Sequence, residues 1–374
     1  MRAAARGGQR LLEDMLGHGA TAPRWTAAKL AALALAALVY LFTVFCLVLG
    51  VYWIYGVIIG DLFFVMLFPA VFLIGWAFLG YARPEMLERR PLERAQAPAL
   101  HALVEDIVRA QGGKLHTNIV LDANFNASFG QYGWTRTPVL TLGLPLWDAL
   151  EPQERVALLA HEIAHGLHGD TVRSAFFWGA VRTLERWHAV FDPEHFGRGD
   201  AISNLLRLPF YPLIFAVSGL AWLWLHALAA LSYGEAQRAE YLADAASARC
   251  AGTRAAVSLQ WKILLGGTAS AVAHHLALSR QTAFFAAFAQ ARAGVPQREL
   301  ERLQRVSALE GTRPDHTHPQ NRDRQRVLDA HRIEHATVHL SPSLVDAIEG
   351  ELQPFRGSIE REVVSRHRDH LYAG

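Results

Sequence analysis

Between Leu30 and Gly60 the chain carries no charged residue, and after the single Asp61 a second run, Leu62 to Ala82, carries none either. A helix rises about 1.5 Å per residue, so about 20 residues cross a hydrocarbon core about 30 Å thick, and each run is long enough. Gly56 and Gly60 beside Asp61 mark a tight connection. The runs, taken as 30–51 and 62–82, are therefore expected to form a transmembrane hairpin spanning 30–82. A cleavable leader is the rival reading of the first run. The polar stretch 1–29 ahead of it and the second run directly behind it argue against that.

Lys and Arg flank the hairpin on one side only. Arg2, Arg6, Arg10, Arg24 and Lys29 precede it, Arg83, Arg89, Arg90 and Arg94 follow it, and the connection has none. That bias is expected to place the N-terminal segment 1–29 and the domain after the hairpin in the cytoplasm, with the chain seated in the lipid bilayer. Hydrophobic residues make up 52% of the chain, high for a purely soluble protein. The net charge of +2 gives no reason to expect a nucleic-acid partner. The two cysteines, Cys46 and Cys250, support neither a disulfide framework nor a thiolate metal site. Any metal must then be held by His and carboxylate.

Such a set is present. In His161-Glu162-Ile163-Ala164-His165 the two histidines lie four apart, so on a helix both imidazoles share a face and can bind one ion. Glu162 sits about a third of a turn round, within reach of a water on that ion. A catalytic zinc takes three protein ligands and leaves one position open. The strongest third candidate is Glu240, with Asp244 four residues on and on the same helical face; Asp244 would orient a ligand imidazole. Chance on a chain with 18 histidines is the bland alternative for the first motif, and a solvated helix face for the second. The two together, in this order, are far more specific than either.

The coarse reading is mainly helical with a small β-sheet (α+β). A helix is expected over 95–112, short strands over 118–122 and 137–142 flanking a turn-rich stretch 124–133, and a helix opened by Pro152 that carries the first motif. A further helix over about 235–250 ends at Gly252. A third apolar stretch, 208–234, contains Pro209 and Pro212. Ligands on both sides of 171–234 must share a compartment, so the chain crosses an even number of times there or not at all. Either 171–192 is a partner helix despite Arg182, Glu185 and Arg186, or 208–234 folds back at its prolines as a re-entrant or interfacial hairpin. The second is the expected arrangement, giving a membrane-associated insertion over 171–234.

The paired motifs, the hairpin and the apolar insertion resemble the integral-membrane zinc metallopeptidases of the HtpX and CAAX prenyl protease family. Asn126-Ala127 is similar to the family's Asn-Ala on the strand lining the substrate cleft. Val139 to Leu144 with Leu150 to Glu154 is similar to the segment leading into the catalytic helix. Thr317-His318-Pro319, with Arg324 six residues after His318, is similar to the family's late His-Pro and Arg element. The resemblance covers roughly 27–330. It implies a zincin-like domain over 83–330, one Zn2+ per chain on His161, His165 and Glu240, and Glu162 as general base. It places His318 and Arg324 near the substrate, where they would stabilise an oxyanion, and Asn126 and Ala127 in substrate binding. It further implies protein or peptide substrates, misfolded membrane proteins among them, at a bacterial inner membrane. Residues 331–374 carry no recognised motif and are expected to form a helical extension.

Two rival functions fit the sequence less well. An intramembrane site-2-type protease would hold the motif within a span, yet Glu154, Arg155 and Asp170 bracket it here. A non-catalytic scaffold with a structural zinc site would not need Glu162. His274, His275, His331, His335 and His339 are expected to be ordinary surface or core histidines, and His168 to lie near the site.

Overall fold

The computed structural model describes residues 2–19, 25–79, 89–132, 137–167, 175–191, 211–309 and 319–372. In chain order the helices and strands are α1 (Arg2–His18), α2 (Ala27–Ile58), α3 (Leu67–Leu79), α4 (Pro98–Ala110), β1 (Asn118–Asp122), β2 (Ala127–Tyr132), β3 (Thr137–Gly143), α5 (Leu144–Ala149), α6 (Pro152–Leu167), α7 (Ala175–Val190), α8 (Tyr211–Ala251), α9 (Thr253–Lys262), α10 (Gly266–Ser279), α11 (Phe284–Ala293), α12 (Gln297–Leu309), α13 (Asn321–Ala330) and α14 (Pro342–Tyr372). The chain divides into two units, one of 1–23, 85–170 and 236–374, the other of 24–84 and 171–235.

The second unit is helical. Its core joins Ala32, Ala36 and Val39 of α2, Trp76 of α3, a stripe on α7 and Ile214, Ala221 and Leu228 of α8. The α7 stripe is Phe177, Ala180, Leu184 and Trp187, continued by Phe191 beyond the helix end, a three-four spacing that keeps one face apolar. Arg182 and Arg186 are only half-buried and Glu185 is exposed. The charges that made 171–192 look a poor helix thus leave the packing face clean. Ala27–Ile58 and the helix through Ile214–Ala251 are long and apolar enough to cross a membrane, and Phe64–Trp76 is a shorter apolar helix. Leu41, Phe45, Val48 and Tyr52 of α2 are exposed, as are Leu220, Trp222 and Leu223 of α8. A water-soluble helix buries such side chains.

The expected fold-back at 208–234 does not occur within the described residues. Tyr211–Ala251 is one uninterrupted helix. Pro212 falls in its first turn, where a missing N–H removes no helical hydrogen bond. The helix that carries Glu240 is therefore the continuation of the apolar stretch, and it ends at Gly252, whose φ of +86° suits a residue without a side chain.

The first unit packs helices around a three-stranded sheet of order β1-β3-β2. β1 runs parallel to β3 and β2 antiparallel to it, with Ala127 opposite Leu142 and Phe129 opposite Leu140. The sequence reading placed β2 inside a turn-rich stretch. Its Ser, Gly and Gln give little strand signal, and its conformation comes from pairing with the apolar β3. One face of α4 (Leu100, Leu103, Val104, Ile107), the sheet, Trp147 of α5 and Val156 to Ala160 with Ile163 of α6 share a core with Phe284 and Phe288 of α11.

Residues beyond 330 are part of this unit rather than an extension to it. Val338, Leu340 and the α14 residues Ile348, Leu352, Ile359 and Val363 lie in the same core. The carboxylate of Glu351 accepts from the Ala99 and Leu100 N–H groups at the start of α4 (2.6 and 3.0 Å), and Glu360 accepts from Phe285 N–H at the start of α11 (3.0 Å). Two helix N-termini, each with unsatisfied N–H groups, are capped by one helix. The N-terminal segment also joins this unit. Leu12 and Met15 of α1 pack with Tyr241 of α8 and Val327 of α13.

Gly143 ends β3 against the residues that lead into β2. Its N–H donates to Asn126 O (2.9 Å), and a Cβ there would lie 2.0 Å from Asn124 O and 2.3 Å from Asn126 O. Gly143→Ala should lower the unfolding free energy by about 1–3 kcal/mol through this overpacking. Denaturant unfolding in detergent measures it, and an unchanged midpoint would show that the turn has room to shift.

Candidate metal centre

Pro152 opens α6, and Glu151 N–H donates to Glu154 Oε2 (2.8 Å), a cap on the first turn. From Glu154 to His165 every residue of α6 is buried. Ala164 packs on Ala243 and Ala246 of α8. Only methyl groups separate the two helices there, so the backbones approach closely. Ser247 Oγ donates to Ala157 O (2.8 Å) along the same contact. This close crossing brings Glu240 to the face of α6 that carries both imidazoles.

His161 Nε2 and His165 Nε2 are 3.2 Å apart. Glu240 Oε2 is 3.5 Å from the first, and Glu240 Oε1 is 3.5 Å from the second. A tetrahedral zinc ion held at about 2.0–2.1 Å by nitrogen and oxygen sets those ligand atoms about 3.3–3.4 Å apart. The three separations straddle that value. Charge agrees with geometry. Glu162, Glu240 and Asp244 are buried with one cation, Arg324, so with neutral imidazoles the cluster is two formal charges negative, which a divalent ion balances. His161, His165 and Glu240 are thus a buried group able to hold a metal ion.

Asp244, one turn beyond Glu240 on α8, reaches His161. Its Oδ1 is 3.2 Å from His161 Nδ1, which keeps the proton on that nitrogen and turns Nε2 toward Glu240 and His165. Burial opposes a charge on His161, but the bonds to Asp244 and Glu240 outweigh it and push its pKa up to about 9 in the metal-free protein. Arg324, expected beside the substrate, sits instead on Asp244. Its Nε and Nη2 donate to Oδ2 (2.7 Å) and Oδ1 (2.6 Å), a bidentate pair. Burial opposes the Arg324 charge too, but Asp244 and Glu240 hold the guanidinium protonated well above its ordinary range.

Glu162 Oε2 accepts from Phe129 N–H of β2 (3.0 Å). That partner was not foreseen, because a backbone amide of a strand with little strand signal leaves no trace in the side-chain pattern. Asn126 O accepts from Gly143 N–H, so Asn126 faces β3 and alternation turns the Ala127, Phe129 and Gln131 backbones outward. β2 is one of the two edge strands of the sheet, and its outer edge runs beside Glu162. Asn126 is exposed and Ala127 buried at the start of that edge. His318 and His168 lie outside the described residues.

The sequence model of Peptidase family M48 matches residues 94–332, more than half of the chain, and the chain belongs to that family. Among curated relatives it is 28% identical over 180 residues to Protease HtpX of Pseudomonas fluorescens, covering 45% of this chain and 56% of that protein. It is 27% identical over 168 residues to Protease HtpX of Pseudomonas aeruginosa (41% and 53%) and 26% identical over 201 residues to Protease HtpX of Stutzerimonas stutzeri (50% and 63%). The chain thus spans about half the length of the curated relatives it matches. No solved structure matches it.

Replacing Asp244 by Asn should weaken metal binding about 10–100-fold by loosening the His161 ring. Asp244→Ala also strips a buried guanidinium of its counter-ion, which should cost about 3–5 kcal/mol of stability. Metal titration and thermal unfolding of the two variants separate these effects. Unchanged affinity in Asp244→Asn would show that the ring needs no such partner.

Proposed function

We propose that this chain is a membrane-bound zinc-dependent endopeptidase that cleaves protein substrates at the cytoplasmic face of a bacterial inner membrane. The observation that carries the reading is the convergence of His161, His165 and Glu240 at zinc spacing with Glu162 tied to the outer edge of β2 beside them. Two imidazoles and one carboxylate are a catalytic zinc set that leaves room for water. A structural site has no use for Glu162.

Zinc, when bound, supplies a Lewis acid that polarises a peptide carbonyl and lowers the pKa of water toward neutrality. Glu162 is the general base: it takes a proton from the attacking water and passes it to the leaving amine. The Phe129 N–H fixes its carboxylate for that transfer. Asp244 keeps His161 in the tautomer that presents Nε2, and Arg324 holds Asp244, which makes both positioning residues. An extended substrate adds as a further strand along the outward groups of Ala127 and Gln131, so recognition is through main chain and only weakly selective for sequence. Asn126 borders that strand. His318 remains a candidate donor to the oxyanion by the family resemblance alone.

The long apolar helices and the one-sided basic flanks support the bilayer and the orientation. Quality control of misfolded membrane proteins is the substrate class that the resemblance to Protease HtpX supports.

Glu162→Gln should reduce cleavage of an unfolded protein in detergent about 10²–10⁴-fold with zinc retained. Full activity with bound zinc would remove the base from the mechanism. The raised pKa of His161 has a sign that can be checked. Metal binding needs neutral His161, so zinc should release about one proton per ion near pH 7.5, and affinity should climb until pH reaches about 9 and then level. Calorimetry in buffers of different ionisation enthalpy measures the release. Zero protons released would contradict the assignment.

A further inference from the structure

The turn that delivers β2 to the site is gripped by residues outside the family match, on both sides of it. Asp122, the last residue of β1, is 2% exposed. Arg89 Nη2 and Arg366 Nη2 both lie 3.2 Å from its Oδ1. Arg366 Nη1 donates to Asn124 Oδ1 (2.7 Å), and Asn124 Nδ2 donates to Asp122 Oδ2 (2.5 Å). Glu362, one turn before Arg366 on α14, accepts from both arginines. Arg89 Nη1 also donates to Leu121 O (3.4 Å). Between these contacts Phe125 stands edge-on to Phe288 with ring centres 5.8 Å apart, and Gly143 clamps Asn124 and Asn126 from the far side. The segment 122–126 is thus pinned from β3, α11 and α14 at once. The strand that follows opens at Ala127, and its third residue, Phe129, is bound to Glu162.

We infer that Arg366 and Glu362 of the C-terminal helix are positioning residues for substrate: with Arg89 they fix the Asp122–Asn126 turn and so set where the outer edge of β2 meets an extended peptide. The inference rests on the proposed peptidase reading. Its physical basis is reach and geometry. A guanidinium that forks across Asp122 and Asn124 fixes two of the five residues 122–126, which a lysine's point charge cannot do. Glu362 and Arg366 are the cluster's outer members, with side chains 30% and 33% exposed, and Arg366→Ala leaves Arg89 on the buried Asp122. Residues inside the family match would hold the metal and supply the base, whereas Arg89, Glu362 and Arg366 lie in the flanks outside it and align the strand.

The test uses the full chain in detergent with zinc bound, comparing Arg366→Ala, Arg366→Lys and Glu362→Gln on an intrinsically unstructured casein substrate. KM should rise about three- to tenfold in Arg366→Ala with kcat changed less than twofold, because the edge that receives substrate is displaced while zinc and Glu162 are not. Arg366→Lys should not rescue it, and Glu362→Gln should show a smaller rise. In parallel, hydrogen exchange of the 123–129 amides should quicken in Arg366→Ala while that of 152–165 stays protected. Unchanged KM and unchanged exchange overturn the inference. So does a fall in kcat alone, or faster exchange throughout α6, which would mean general loosening. If the wild-type chain cleaves nothing, the peptidase reading fails, and the exchange measurement still decides whether Arg366 holds the turn.

Discussion

The carboxylate of Asp244 accepts from Arg324 on one side and faces His161 Nδ1 on the other, and all three groups are buried. In a low-dielectric interior a carboxylate with no partner would be far too costly, and so would a guanidinium. Each therefore requires the other, and the pair dictates where α13 sits against α8. The imidazole then has one nitrogen assigned, which leaves the second for the metal. The orientation of α6, the reach of Glu240 and the closeness permitted by Ala164, Ala243 and Ala246 all serve that one nitrogen.

The pairing of His161 with His165, and of Glu240 with Asp244, was legible in the sequence because their spacing is local. Residues four apart on a helix share a face whatever the helix packs against, so His161 with His165 and Glu240 with Asp244 can be paired without a structure. What they share is invisible locally: that the two helices cross at alanines, and that Arg324 comes from a third helix to close the chain. The placement of Arg324 near substrate followed from resemblance and took no account of a buried carboxylate in need of a cation.

The fold was legible where periodicity spoke and illegible where pairing decided. β3 is apolar and reads as a strand, whereas β2, with Ser128, Gly130 and Gln131, is a strand only because β3 lies beside it. Pro212 looked like a break, and in the first turn of a helix it is none. Residues 331–374 offered no motif, yet Ile348, Leu352, Ile359 and Val363 complete the core, and Glu351 and Glu360 cap two other helices. Helical periodicity announces an apolar face but not the surface that it covers.

The central claim is that one ion sits on His161, His165 and Glu240. X-ray absorption at the zinc edge of the purified full chain tests it most directly. One zinc per chain should appear, with two imidazoles and further oxygen ligands at about 2.0–2.1 Å, and Glu240→Ala should lose most of the zinc. Sulfur in the coordination sphere, a third imidazole, or full zinc occupancy in Glu240→Ala would contradict it.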